Sequence, residues 1–173
     1  MNSSSTLRIS LKFIIIWILQ IIVLKQVQFL PLGSYYYEAF VYPLFILLLP
    51  FGMHVNRLML IAFFSGLLID ASYNTLGVHT ASAVVLAFAR PYILALVLPR
   101  GIDEAFTPSL GRLKFLPFLR YVIYSFLVYL PFYYIMVFFS HVFIVEIIVK
   151  SLLSFIVSVF FTLILAGILN GLD

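Results

Sequence analysis

Gly66-Leu67-Leu68-Ile69-Asp70 and, beyond a short polar turn, Leu76-Gly77-Val78-His79 join two long apolar runs. A carboxylate, two glycines and a histidine are gathered here in a chain with little other polar punctuation. Hydrophobic residues fill 65% of the 173 positions and charged residues only 9%. Soluble domains carry roughly 45–50% apolar and about 25% charged residues. So few charges cannot cover a water-facing surface, so lipid is the solvent that the folded chain requires. The quoted stretch is therefore the turn of a membrane hairpin, and the expected fold class is an all-α integral membrane protein.

Working outward, six hydrophobic segments appear, at about 13–30, 39–51, 58–70, 78–98, 118–140 and 143–169. About 20 helical residues cross the hydrocarbon of a bilayer. The first, fourth, fifth and sixth segments meet that length, whereas 39–51 and 58–70 fall short. These two can be thin spans, tilted spans with local thinning, or a re-entrant pair. Two spans are expected, because five crossings would break the charge pattern. The result is a six-transmembrane-helix bundle forming one membrane domain over 1–173. Tyr35-Tyr36-Tyr37 either lengthens the second segment or sits in an interfacial aromatic belt.

Charge orients the bundle. Arg8 and Lys12, then Arg57, then Arg100, Arg112, Lys114 and Arg120 alternate with connections at 31–38, 70–77 and about 141 that hold no lysine or arginine. The basic side should be cytoplasmic, with both termini inside and the Asp70–His79 turn outside. Arg8 and Lys12 ahead of Phe13–Leu24 resemble a signal peptide, but no small-residue cleavage site follows, so an uncleaved signal anchor is expected. Ser3-Ser4-Ser5-Thr6 reads as a disordered tail. Pro99, Gly101, Pro108, Gly111 and Pro117 predict a helix-free loop over 99–117, with Asp103 and Glu104 among its basic residues. That loop either sets topology and touches anionic lipid or docks a cytoplasmic partner.

The chain lacks the constellations that carry catalysis. His54, His79 and His141 stand far apart, and cysteine is absent, so no metal site or cofactor is expected. No phosphate-cradling glycine loop and no Gly-x-Ser-x-Gly occurs, so no enzyme is expected. The net charge of +4 is loop charge rather than a nucleic-acid footprint.

Several polar residues remain to be placed. Asp70 either accepts hydrogen bonds from amides of 72–74 or of the fourth helix's first turn, or it meets a partner or ligand. His79 either bonds Asp70 through its ring, stapling the hairpin, or faces lipid headgroups. Gly77 permits a tight backbone. Ser65, Gly66, Ala81, Ser82 and Ala83 allow the third and fourth spans to approach closely. Arg90, beside Pro91, either snorkels at a kinked helix or turns inward to hold an anionic group or carboxylate. Glu146 and Lys150, four apart, either neutralise each other or bury against a partner helix.

The motif at 66–79 resembles that of the MreD family of rod shape-determining membrane proteins. Pro43-Leu44-Phe45-Ile46-Leu47-Leu48-Leu49, Arg57, Ala89-Arg90-Pro91-Tyr92-Ile93-Leu94 and Pro99-Arg100-Gly101 add to the likeness, the last two in a Bacteroidetes-type form. Only Gly66, Asp70, Gly77 and His79 match the family motif residue by residue. The resemblance implies a six-helix fold similar to substrate-binding subunits of energy-coupling-factor transporters. It also implies a non-enzymatic scaffold in the bacterial inner membrane that supports peptidoglycan synthesis and cell shape. Its implied partners are an MreC-like protein and, with it, MreB, a RodA-type glycosyltransferase and a class B penicillin-binding transpeptidase. The alternative is a small-molecule-binding transporter subunit, its site lined by Asp70, Asn74, His79 and Glu38.

Overall fold

The computed structural model describes residues 3–25, 29–32, 35–98, 106–139 and 143–171. Arg100, Asp103, Glu104 and His141 fall outside them. Helix α1 (Ser3–Ile18) continues as a π-helical stretch over Leu19–Leu24. Strands β1 (Phe29–Leu32) and β2 (Tyr35–Tyr37) pair as a small antiparallel hairpin. Then follow α2 (Pro43–Leu47), α3 (Val55–Tyr73), α4 (Val78–Val97), α5 (Leu110–Leu113), α6 (Phe115–Phe138) and α7 (Ile144–Asn170). Helix α4 packs along both α3 and α6, and α6 packs along α7.

Among the described residues, α3, α4, α6 and α7 are long and apolar enough to cross a membrane. The apolar part of the first helix, Leu11–Leu24, is shorter. Helix α7 shows which solvent these helices are made for. Ile148, Leu152, Ile156, Phe160, Ile164 and Ile168 point outward, whereas Ser151, Ser154, Ser158 and Thr162 point into the protein. A water-soluble helix buries the opposite face. Here the outside is the more apolar side, as lipid requires.

The structure corrects four expectations. The stretch 39–51 is not a transmembrane helix. Pro43 opens a helix of only five residues, which spans roughly 7–8 Å, and Pro50 follows its end. Residues 38–42 before it form a non-helical strap, and everything from Ala39 to Leu49 is buried. Among the described residues the six-helix count therefore gives way to four helices of spanning length. Second, 58–70 is not a short span, because helix continues on both sides to 55 and 73. Third, Ser3–Thr6 is helical rather than disordered. Fourth, α5 lies inside the loop expected to lack helix, and α6 starts ahead of Pro117. Proline is tolerated there because first-turn amides have no helical acceptor to lose.

Together with α2, the strap leads from the level at which α3 ends to the level at which α3 begins. Gln20 Nε2 donates to the Tyr73 hydroxyl at 2.8 Å, so the first helix ends level with the end of α3. Lys25 Nζ donates to the Ser72 carbonyl at that same end. At the other end, just before α3 begins, the Phe51 amide donates to the Phe106 carbonyl at 2.8 Å.

Non-helical backbone inside a membrane protein must find partners within the protein. The strap finds them alternately on two sides. The Glu38 and Phe40 amides donate to Ser154 Oγ at 3.2 Å and Ser158 Oγ at 2.9 Å. On the other side Gln20 Oε1 accepts from the Val41 amide at 2.8 Å, and Gln20 Nε2 donates to the Ala39 carbonyl at 3.2 Å.

Candidate functional site

The α3–α4 turn is built from two left-handed residues of the types that tolerate that conformation best. Asn74 (φ 55°) closes α3, its amide bonded to the Asp70 carbonyl. Gly77 (φ 82°) opens α4, its carbonyl accepting from the Ala81 amide at 2.9 Å. A Cβ at Gly77 would meet nothing within 4 Å, so the glycine is required by backbone angle alone. Gly77→Ala is expected to cost about 1 kcal/mol, the penalty of a left-handed alanine. Thermal unfolding in detergent measures it, and an unchanged midpoint would mean that the turn relaxes freely.

Asp70 reaches from the end of α3 to the start of α4. Its Oδ1 accepts from the His79 amide at 3.1 Å and from the Thr75 hydroxyl. Its Oδ2 accepts from the Thr80 amide at 2.8 Å and the Thr80 hydroxyl at 2.5 Å. His79 and Thr80 are the second and third residues of α4, whose amides lack helical acceptors. The carboxylate thus caps the next helix from the preceding one. The positive end of the α4 dipole lies at this buried charge. Of the amides considered from sequence, those of α4 are the ones engaged.

Gly66 stands one turn before Asp70 on the same face of α3. A Cβ there would lie 2.5 Å from Thr80 Cα, 2.9 Å from Thr80 N and 3.0 Å from the His79 carbonyl oxygen. The two helix backbones touch at this point. Gly66 and Asp70 make one device: the glycine brings the helices together, and the carboxylate locks them.

The ring staple between His79 and Asp70 is absent. His79 gives Asp70 its backbone amide, not its imidazole. The ring is fully buried among Phe40, Tyr42, Tyr73 and Tyr133, with centroids 4.9–5.8 Å away. Neither ring nitrogen has a hydrogen-bond partner among the described residues. The ring does not reach the protein surface either. Of the set Asp70, Asn74, His79 and Glu38, Asp70 spends its oxygens on the hairpin, the His79 ring is buried, and Asn74 and Glu38 are exposed.

Arg90 does not snorkel. It is 1% exposed and turned inward. Its Nε donates to the Tyr121 hydroxyl at 2.9 Å, and its terminal nitrogens donate to the carbonyls of Leu47, Leu49 and Pro50. Tyr121 in turn donates to the Leu47 carbonyl at 3.1 Å. The guanidinium therefore serves the carbonyl end of α2, where a cation suits the helix dipole. Helix α4 carries on through Pro91.

Lys150 Nζ lies over the Phe138 ring at 4.9 Å and faces Glu38. The partners seen for it lie on other elements rather than on Glu146, one turn earlier.

Two groups escaped the sequence reading. Gln20 is one, and its signal was a lone amide inside the apolar run Phe13–Leu24. The other is the stripe Ser151, Ser154, Ser158 and Thr162, whose spacing of three and four places it on one helix face. Among the described residues no cluster of three metal-ligating side chains occurs. Comparison with known proteins adds no relative: no protein-family model, no curated protein and no solved structure matches this chain.

Proposed function

We propose that this protein is a non-enzymatic membrane scaffold of the MreD type, part of the machinery that elongates bacterial cells. In this reading it lies in the inner membrane with both termini in the cytoplasm and holds an MreC-like single-span protein. Through that partner it meets MreB, a RodA-type glycosyltransferase and a class B penicillin-binding transpeptidase, and so supports peptidoglycan synthesis. The chain then passes through the bilayer six times, once as the buried strap with α2. Exposed Arg57, Arg112, Lys114 and Arg120 then face the cytoplasm.

The observation that carries this reading is the use made of the motif. Gly66, Asp70, Gly77 and Thr80 spend their chemistry on locking α3 to α4, which leaves a rigid helix pair. The opposite face of α3 presents Leu60, Phe63, Phe64, Leu67 and Leu68 outward. A partner's transmembrane helix can pack on such a rigid apolar row.

Co-expression with an MreC-like protein, followed by affinity capture, tests the proposal. A photo-crosslinking residue at Leu68 should capture that partner, whereas one at Phe160 on α7 should not. Failure of the intact protein to retain the partner would overturn the scaffold reading.

A further inference from the structure

The imidazole of His79 is a polar ring in a place shaped for an apolar one. A neutral imidazole carries one donor and one acceptor. Here both are buried without partners, although the residue's own amide and carbonyl are satisfied by Asp70 and by the Tyr42 hydroxyl at 3.2 Å. Phenylalanine would fill the same box with nothing left unpaired.

Histidine differs from phenylalanine in one further respect: it takes up a proton near physiological pH. The groups around it come from three elements. Helix α3 supplies Tyr73 and the fully engaged Asp70. The strap supplies Phe40, Tyr42 and, at its outer end, Glu38, which faces Lys150 of α7. Helix α6 supplies Tyr133. Beyond Tyr73 stand neutral Gln20 and Lys25, whose Nζ is 5.4 Å from the Tyr73 ring centroid. Among the described residues, neither ring nitrogen has a hydrogen-bond partner.

We propose that this box is a proton-operated latch on the strap. With a neutral ring the box closes, and Phe40 and Tyr42 pack onto it. A proton from water at the hairpin end gives an imidazolium with two N–H donors, a charge that is better solvated in water than in the buried box, so protonation favours the ring outside it. The wall that yields is the strap, because side-chain hydroxyls and the Gln20 amide hold residues 38–41 in place of a helix or β ladder. Helices α3, α4 and α6 are held by helical backbone bonds along most of their length. The strap is therefore closed at neutral pH and released as the pH falls through the titration of His79.

The test uses the full chain in lipid nanodiscs. Nitrogen-15 histidine NMR reads the ring, and amide hydrogen exchange, corrected for intrinsic rate, reads Phe40 and Val41. Acidification from about pH 7 to about pH 4.5 should protonate His79 and lower protection of these amides about tenfold or more, with the α3–α4 amides unchanged. His79→Phe should retain full protection throughout, and its melting temperature at neutral pH should equal or exceed that of the unmodified chain. If His79→Phe does not accumulate, His79→Leu serves the same comparison. A ring that stays neutral over this range, or one that titrates while protection holds, would overturn the latch. So would loss of protection that persists in His79→Phe or disappears in Glu38→Gln, since Glu38 would then be the responsive group.

Discussion

Asp70→Ala should destabilise the protein by about 3–5 kcal/mol, the range for stripping the partner from several buried donors at once. Four hydrogen bonds end on this carboxylate, two from α4 amides and two from threonine hydroxyls. Their donors face the buried α3–α4 contact, where water does not replace the lost acceptor. The charge that faces the α4 dipole disappears in the same step. Asp70→Asn keeps one carbonyl oxygen but turns an NH2 group toward donors, so about half of the loss should remain. Reversible unfolding in mixed micelles gives both values. An Asp70→Ala variant within about 0.5 kcal/mol of the unmodified protein would mean that the cap contributes nothing net.

Gly66→Leu should be as damaging by a different route. The atoms facing a Cβ at Gly66 are backbone atoms of Thr80 and His79, and no side-chain rotation removes the clash. Helices α3 and α4 must part along their contact, at a cost of about 2–4 kcal/mol for overpacking a rigid interface. Parting them also draws Asp70 away from the Thr80 amide, now 2.8 Å distant. The two positions are therefore coupled. In a double-mutant cycle, Gly66→Leu with Asp70→Ala should cost less than the sum of the single changes by about 1 kcal/mol or more. Strict additivity would mean that the close approach and the cap are separate features. The milder Gly66→Ala should show the same coupling with a smaller loss.

Much of this device could be read in the chain. A glycine and an aspartate four apart near a helix end, followed by a glycine at the next helix start, announce a close-packed, capped turn. Those residue types act through local backbone geometry, and local geometry is what sequence spacing encodes. The assignment of His79 failed for the opposite reason. Its sequence distance from Asp70 allowed a ring contact, but its ring partners lie at 40, 42, 73 and 133, on three separate elements. Arg90 was ambiguous because a long side chain reaches either an interface or an interior. The carbonyls of Leu47, Leu49 and Pro50 decided for the interior, and they belong to a segment expected to be a spanning helix.

What the amino-acid sequence determined by itself is the solvent and the helices. A chain with 65% hydrophobic and 9% charged residues has to fold in lipid, and its long apolar runs become helices because lipid offers their backbone no other partner. What only the tertiary structure decided is the fate of 39–51. Its apolar composition suits a spanning helix and a buried strap alike. Two prolines leave room for five helical residues, and side chains from the π-helical stretch, α4, α6 and α7 bond the backbone on either side of them. Whether a backbone amide finds its acceptor one turn back along its own chain or more than a hundred residues away is settled by packing, which pairwise spacing in a sequence does not record.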